Sequence, residues 1–391
     1  MCRGRPAPAP ASAEPAALVC GRRRPAGRRS SQSPSPMLPV LLRGAAALLA
    51  RPLAAGVLVV ASAVGAGPVT PAAAQTPAGA SGSASRPAAR QPAPKRARKT
   101  AAGDAPARAA AKAPAAPDTL WPPKNLPPIL PGSVLPARRI VAYYGNPLSK
   151  RMGVLGEYPV DVMLAKLDRE VAAWNAADPA HPAQPALHLI ATVAQGAPGK
   201  DGMYRYRVHP ELIEKVYGWA RQKQALLFLD VQIGKSSLEE ELKVLVPYLQ
   251  RPDVHLGLDP EFAMTKGGLP GKRVGTYDAS HINYASGVLA DLVTQHKLPP
   301  KVLVIHRFTG PMVTNVMQVR RDPRVQVVID MDGWGPPYGK RATWSRFIYP
   351  YPLQYTGFKL FYHNDTKAGH PLMTPRDVLA LHPDPLYIQY Q

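Results

Sequence analysis

The chain has 391 residues, with 48 Lys and Arg against 26 Asp and Glu, a net charge of +22. Residues 1–125 hold 18 of those basic residues and three of the acids, a net +15, so the remaining chain carries only +7. That split excludes a uniformly basic nucleic-acid reader, and no zinc-finger spacing or basic recognition helix occurs after residue 125.

Residues 1–125 are dominated by Ala, Pro, Arg, Ser and Gly and show almost no hydrophobic periodicity. Such a composition buries too little apolar surface to offset ordering entropy, which predicts disorder. Residues 1–36 read as a basic low-complexity extension. Residues 37–74 read as a signal peptide. Met37 is a candidate start, Arg43 and Arg51 a positive n-region, and Leu53 to Ala66 an apolar h-region before Ala72-Ala73-Ala74. An uncleaved anchor is the alternative, although the run is shorter than the roughly 20 apolar residues of a full span. No Cys follows the h-region, which argues against a lipid anchor. Residues 75–125 read as an extended Pro/Ala linker with scattered positive charge. These features point to a secreted or periplasmic, envelope-associated protein. The only cysteines, Cys2 and Cys20, precede the expected cleavage site, so neither a disulfide framework nor a thiolate metal site is expected in the mature chain.

From residue 139 short β-rich runs alternate with helical patterns. The runs are 139–145, 186–195, 225–232, 254–261, 301–308, 325–333, 358–364 and 385–391. Helices are expected near 160–176, 210–223, 237–250, 278–296, 311–320 and 374–381. The stretch 334–357 reads as an aromatic loop with at most one helical turn. Asp278 reads as a helix N-cap. Eight strands alternating with helical segments predict an α/β fold, a (β/α)8 TIM-like barrel over 126–391 without an eighth helix. An open doubly wound sheet is the alternative, disfavoured because no GxGxxG or Walker-type loop follows any strand.

The period of two assigns faces. In VHLGLDPE, Val254, Leu256 and Leu258 share one side, and Gly257, Asp259 and Glu261 the other. The apolar side suits the helices, so both acids are expected at the barrel mouth. The same parity turns Asp230, Gln232, His306, Asp330, Asp332, Gln389 and Gln391 inward. Strands one and seven are ambiguous, with Tyr144 and His363 at their ends. Active sites of such barrels lie at the C-terminal strand ends. Crowded carboxylates raise one another's pKa, which keeps a Glu protonated for acid catalysis. Glycoside hydrolysis uses that arrangement, and the loops offer Tyr143, Tyr204, Tyr206, Trp334, Tyr338, Trp344 and Tyr349 for stacking on sugar faces.

The Asp259-Pro260-Glu261 triplet on the fourth strand resembles the fourth-strand Asp-x-Glu of sugar-cleaving barrels, the family 18 chitinase-like proteins and the family 25 lysozyme-like muramidases. The resemblance implies Glu261 as proton donor and Asp259 as its support. Asp330 lies where chitinase-like barrels also carry an Asp. This chain departs from those patterns: Val254 and Gly257 stand where the chitinase-like motif has further Asp residues, and Tyr143 and Tyr144 where the muramidase-like pattern has an Asp.

The expected catalytic set is therefore Glu261, Asp259 and Asp330, with Asp230, Gln232, Tyr144, His306, Asp332, Trp334, His363 and Gln389 binding a carbohydrate or envelope polymer. No cofactor is expected, since there is no HxH on the first strand and no HExxH, which leaves the metal signal diffuse. A metal-dependent hydrolase using the Asp/Glu/His ring is one alternative. A barrel that binds envelope polymer or protein without turnover is the other. A nucleophilic Ser or Cys enzyme is disfavoured by the absence of GxSxG. A monomer is expected, with no specific nucleic acid and no membrane contact beyond an uncleaved anchor.

Overall fold

The computed structural model describes residues 118–391. The expected extension 1–36, the expected leader 37–74 and residues 75–117 of the expected linker lie outside the described residues. The last eight residues assigned to the linker are packed on the barrel instead. Trp121 is buried, and its indole N–H donates to the Tyr349 carbonyl at 2.7 Å.

Eight parallel strands close into a barrel: β1 (Arg139–Gly145), β2 (Ala183–Ala194), β3 (Leu226–Val231), β4 (Val254–Leu258), β5 (Lys301–Arg307), β6 (Val325–Met331), β7 (Tyr355–Leu360) and β8 (Tyr387–Tyr390). Each pairs with the next, and β8 pairs with β1, which leaves the barrel no free edge. A short strand, Arg205–Arg207, adds antiparallel to the mouth end of β2, beside a register shift between Ile190 and Thr192. The connecting helices are α1 (Val160–Ala177), α2 (Pro210–Gln222), α3 (Leu238–Leu249), α4 (Ala279–His296), α5 (Pro337–Phe347) and α6 (Pro375–Leu379). Asp278 caps α4, its carboxylate accepting from the Ser280 amide at 3.0 Å.

Three segments differ from the sequence reading. Residues 311–320 form two 3-10 turns, Gly310–Met312 and Val316–Gln318, around the two-residue strand Val313–Thr314. Branched Val313, Thr314, Val316 and Val319, with Asn315 in the left-handed region, oppose a continuous helix. Residues 337–347 are helical rather than looped. The buried stripe of α5 is Lys340 and Trp344, and a lysine on the inner face hides the apolar period. Its ammonium is satisfied by the carbonyls of Gly333 and Lys359 and by Asp365. Finally, β7 starts and ends three to four residues earlier than 358–364. The Asp365 carboxylate accepts the Phe361 amide at 3.0 Å and takes it out of the ladder.

Two apolar layers result from the strand parity. Leu227, Leu229, Val231, Leu256, Leu258, Ile305 and Ile329 face helix residues such as Leu242, Leu245, Ile282 and Leu289. Ile140, Ala142, Ala186, Phe228, Val302, Val304, Val328 and Tyr387 fill the lower barrel, closed beneath by Leu135. The Gln326 amide pins that plug, accepting from the Val134 and Leu135 amides and donating to the Leu135 carbonyl. Phe228 is fully buried and stacks on His188 with ring centroids 5.2 Å apart. Phe228→Ala is expected to cost about 3–5 kcal/mol through lost transfer energy and the cavity left behind. Equilibrium urea unfolding measures it, and a loss below about 1 kcal/mol would mean that the interior collapses to fill the gap.

Candidate functional site

The mouth of the barrel opens into a cavity of about 570 Å³. Its polar wall is made by Gln232, Asp259, Glu261, Asp332 and Lys359, and its apolar wall by Tyr144, Phe308, Trp334 and Phe361. Of the expected residues, Glu261, Asp259, Gln232, Tyr144, Asp332 and Trp334 meet there.

Asp259 and Glu261 are not two residues of one straight strand. β4 stops at Leu258, and Asp259 caps the 3-10 turn Pro260–Phe262. Its Oδ1 accepts the Glu261 amide at 3.1 Å, while its Oδ2 accepts from the Gln232 amide at 3.0 Å. Asp259 is buried and fixes the turn that carries Glu261. The Glu261 carboxylate makes no ion pair or side-chain hydrogen bond among the described residues. Burial, and then the negative charge of Asp332, push its pKa up to about 7. Burial, and then Asp230, also raise Asp259 well above the ordinary carboxylate range. Asp332 is held from the other side by the Lys359 ammonium at 2.9 Å, and that ammonium lies 3.8 Å from the centre of the Tyr144 ring.

Beneath this floor lies a second, sealed layer. Asp230, Asp330, His306 and Gln389, expected to catalyse or bind at the mouth, are all fully buried and do not line the cavity. Parity turns them inward, but they sit one inward-facing position deeper than the mouth. The Tyr144 hydroxyl donates to Asp230 Oδ2 at 3.0 Å and so closes the layer from above. His306 Nδ1 is 3.1 Å from Asp330 Oδ2 and 3.5 Å from Asp332 Oδ2. Burial opposes charge on His306, yet Asp230 and Asp332 hold its pKa well above the ordinary value. Burial would likewise raise Asp230, but His306 and His188 outweigh it and hold the carboxyl far below its usual range. Asp330 is raised, chiefly by burial.

His363 belongs to neither layer. With β7 ended at Leu360 it falls in an exposed turn, where its Nε2 meets Glu157 at 2.9 Å. Of the loop tyrosines and tryptophans expected to stack on sugar faces, Trp334 reaches the cavity. Tyr143 points outward to the Tyr362 hydroxyl, and Trp344 is buried under α5.

Two residues of the site were not singled out from sequence. His188 on β2 points inward, and burial pushes its pKa down to about 4 against the pull of Asp230. Lys359 on β7 is a cation of the mouth, paired with Asp332. Both were legible by parity: Leu187 and Leu189 flank His188, and Phe358 and Leu360 flank Lys359, with all four in the helix-facing layer.

The raised carboxyl of Glu261 carries a stability consequence. Its folded pKa of about 7 exceeds the ordinary 4.5, so the folded state favours the neutral acid. The penalty of ionising it is absent below about pH 4.5, grows between 4.5 and 7, and is complete above 7. Glu261→Gln should therefore be more stable than wild type by about 1–3 kcal/mol at pH 8, after allowance for partial solvent screening, and by little near pH 4. Urea unfolding at the two pH values decides this; an equal difference at both would show that Glu261 titrates normally.

No protein family and no curated protein sequence matches this chain.

Proposed function

We propose that this barrel is a glycoside-hydrolase-like enzyme in which Glu261 is the general acid. The observation that carries the reading is a carboxyl group on a cavity wall, with no ion pair among the described residues, beside a second carboxylate and facing aromatic rings. Burial next to Asp332 keeps it protonated near neutral pH, as a proton donor requires.

In this reading the Glu261 proton passes to the glycosidic oxygen as the bond from that oxygen to the anomeric carbon breaks. Positive charge develops on the sugar ring, and the Asp332 carboxylate, oriented by Lys359, stabilises it. Water then adds to the anomeric carbon and yields its proton to the Glu261 carboxylate, which restores the acid. Asp259 and Gln232 act as positioning residues, because they set the turn that aims Glu261. Trp334, Phe308 and Phe361 offer faces for a sugar ring. Asp330 drops out as a group that touches substrate and supports His306 from below.

The substrate class we favour is an envelope or extracellular glycan. That choice rests on the leader-like segment 37–74 and the basic linker, which also underlie the proposal of export. The monomeric state belongs to the same proposal.

Full-length protein and its Glu261→Gln variant should be assayed against labelled peptidoglycan, chitin oligomers and aryl glycosides. The variant should lose about 10²–10⁴-fold in kcat. The wild-type rate should fall as pH rises through about 7, because the working form is the protonated acid. Equal turnover by both proteins overturns the assignment. Glycan binding without turnover in either protein replaces it with a non-catalytic binding module.

A further inference from the structure

We infer that the sealed layer beneath the cavity is a binding site for a divalent transition-metal ion, held by His188 Nε2, Asp230 Oδ1 and His306 Nε2. This inference goes beyond the Glu261 reading and does not depend on it.

The three side chains come from β2, β3 and β5, and each is fully buried. Their three near atoms lie within 4.8 Å of one another. Asp230 Oδ1 is 3.3 Å from His188 Nε2 and 3.4 Å from His306 Nε2. These contacts are close enough for charge attraction, yet they are not aligned as hydrogen bonds, and all three atoms are left without a hydrogen-bond partner. The charge attraction among them offsets only part of the cost of burying three polar atoms without hydrogen bonds. The separations suit a shared ion. Two donors about 2.1 Å from a tetrahedral ion stand about 3.4 Å apart.

The far atoms of the same side chains are all anchored. His306 Nδ1 meets Asp330 Oδ2 at 3.1 Å. His188 Nδ1 meets the Tyr387 hydroxyl at 2.5 Å and the Gln389 amide at 3.0 Å. Asp230 Oδ2 accepts from Tyr144. With the Gln389 amide turned so that its orphaned oxygen faces Nδ1, the ring proton of His188 sits on Nδ1 and the Nε2 lone pair is free; His306, charged without the ion, releases its Nε2 proton to solvent on binding and keeps the Nδ1 proton toward Asp330. A carboxylate behind one ligating His and an amide or hydroxyl behind the other is the outer support that metal-binding imidazoles use. Gly257 on β4 leaves room at the cluster: a Cβ there would lie 2.4 Å from both Asp230 Oδ1 and His188 Nε2. Two imidazoles and one carboxylate favour zinc or ferrous iron over calcium or magnesium.

The test uses the full-length chain, stripped by chelator, refolded and titrated with Co²⁺. One equivalent should bind and give visible d–d absorption. The proton NMR spectrum of the Co²⁺ form should show two solvent-exchangeable, strongly shifted signals from the ring N–H groups of His188 and His306. Asp230→Asn, checked for native near-UV circular dichroism, should weaken Co²⁺ binding more than about a hundredfold. His181→Gln, at the surface group with Asp178 and Asp384, should leave the absorption unchanged. Absence of stoichiometric Co²⁺ binding by the wild type overturns the proposal even if the Asp230 variant fails to fold. Absorption that survives Asp230→Asn, or that disappears in His181→Gln, overturns it as well.

Discussion

The structure depends on one buried carboxylate. Asp230 has no exposed surface, and it sits in the interior of a closed barrel. Such a charge is tolerated only with partners on every side, because the desolvation of an unpaired ion costs several kcal/mol. Those partners come from three other strands: Tyr144 from β1, His188 from β2 and His306 from β5. Each must be on the inward face at the same height. A one-residue slip of β3 would bring Leu229 inward and send Asp230 into the helix layer. The charge therefore constrains the register of the barrel.

Its influence passes upward. Below Asp230 the barrel holds Ile140, Ala142, Val302, Val304 and Val328, which carry no charge. At its own level His306 gathers the negative charges of Asp230, Asp330 and Asp332. Above it Asp332 shares itself between His306 and Lys359, and its remaining field meets Glu261. The upward shift of the Glu261 pKa follows from its burial within that field. Polarity thus rises along the barrel axis from an apolar plug to a charged mouth. The wider polar network follows the same rule: Glu241, buried on α3, is matched by Arg205 and Arg207 of the short strand that flanks the cavity.

Periodicity made much of this legible in the sequence. The run RIVAYYG gives β1 its full extent, and the inward facing of Asp230, Gln232, His306 and Asp332 follows from alternation alone. What failed had local causes. The helix α5 was masked because its buried stripe contains Lys340, which is satisfied by carbonyls that only the fold brings near. β7 was displaced because Asp365 ends it from five residues beyond its last residue. That displacement carried His363 into the expected site and left Lys359 out of it. His188 is marked by its flanking leucines but lies in mid-strand, away from the strand end where barrel chemistry is expected.

Parity assigns a side chain to the inside of a barrel but not to a depth within it. Residues two apart on one face are separated by about 6.6 Å along the strand, close to the thickness of one side-chain layer. Asp230 and Gln232 are such a pair on β3 and just beyond it, and Asp330 and Asp332 are another on β6 and just beyond it. In each pair the first residue belongs to the sealed cluster and the second to the cavity wall. One strand thus contributes to two layers of different accessibility, coupled through the contact of Asp332 with His306. Tyr144 is the partition: its ring lines the cavity, and its hydroxyl is spent on Asp230. Glu261 and Asp332 stand on the cavity side of that ring, and His188, Asp230 and His306 lie on its buried side.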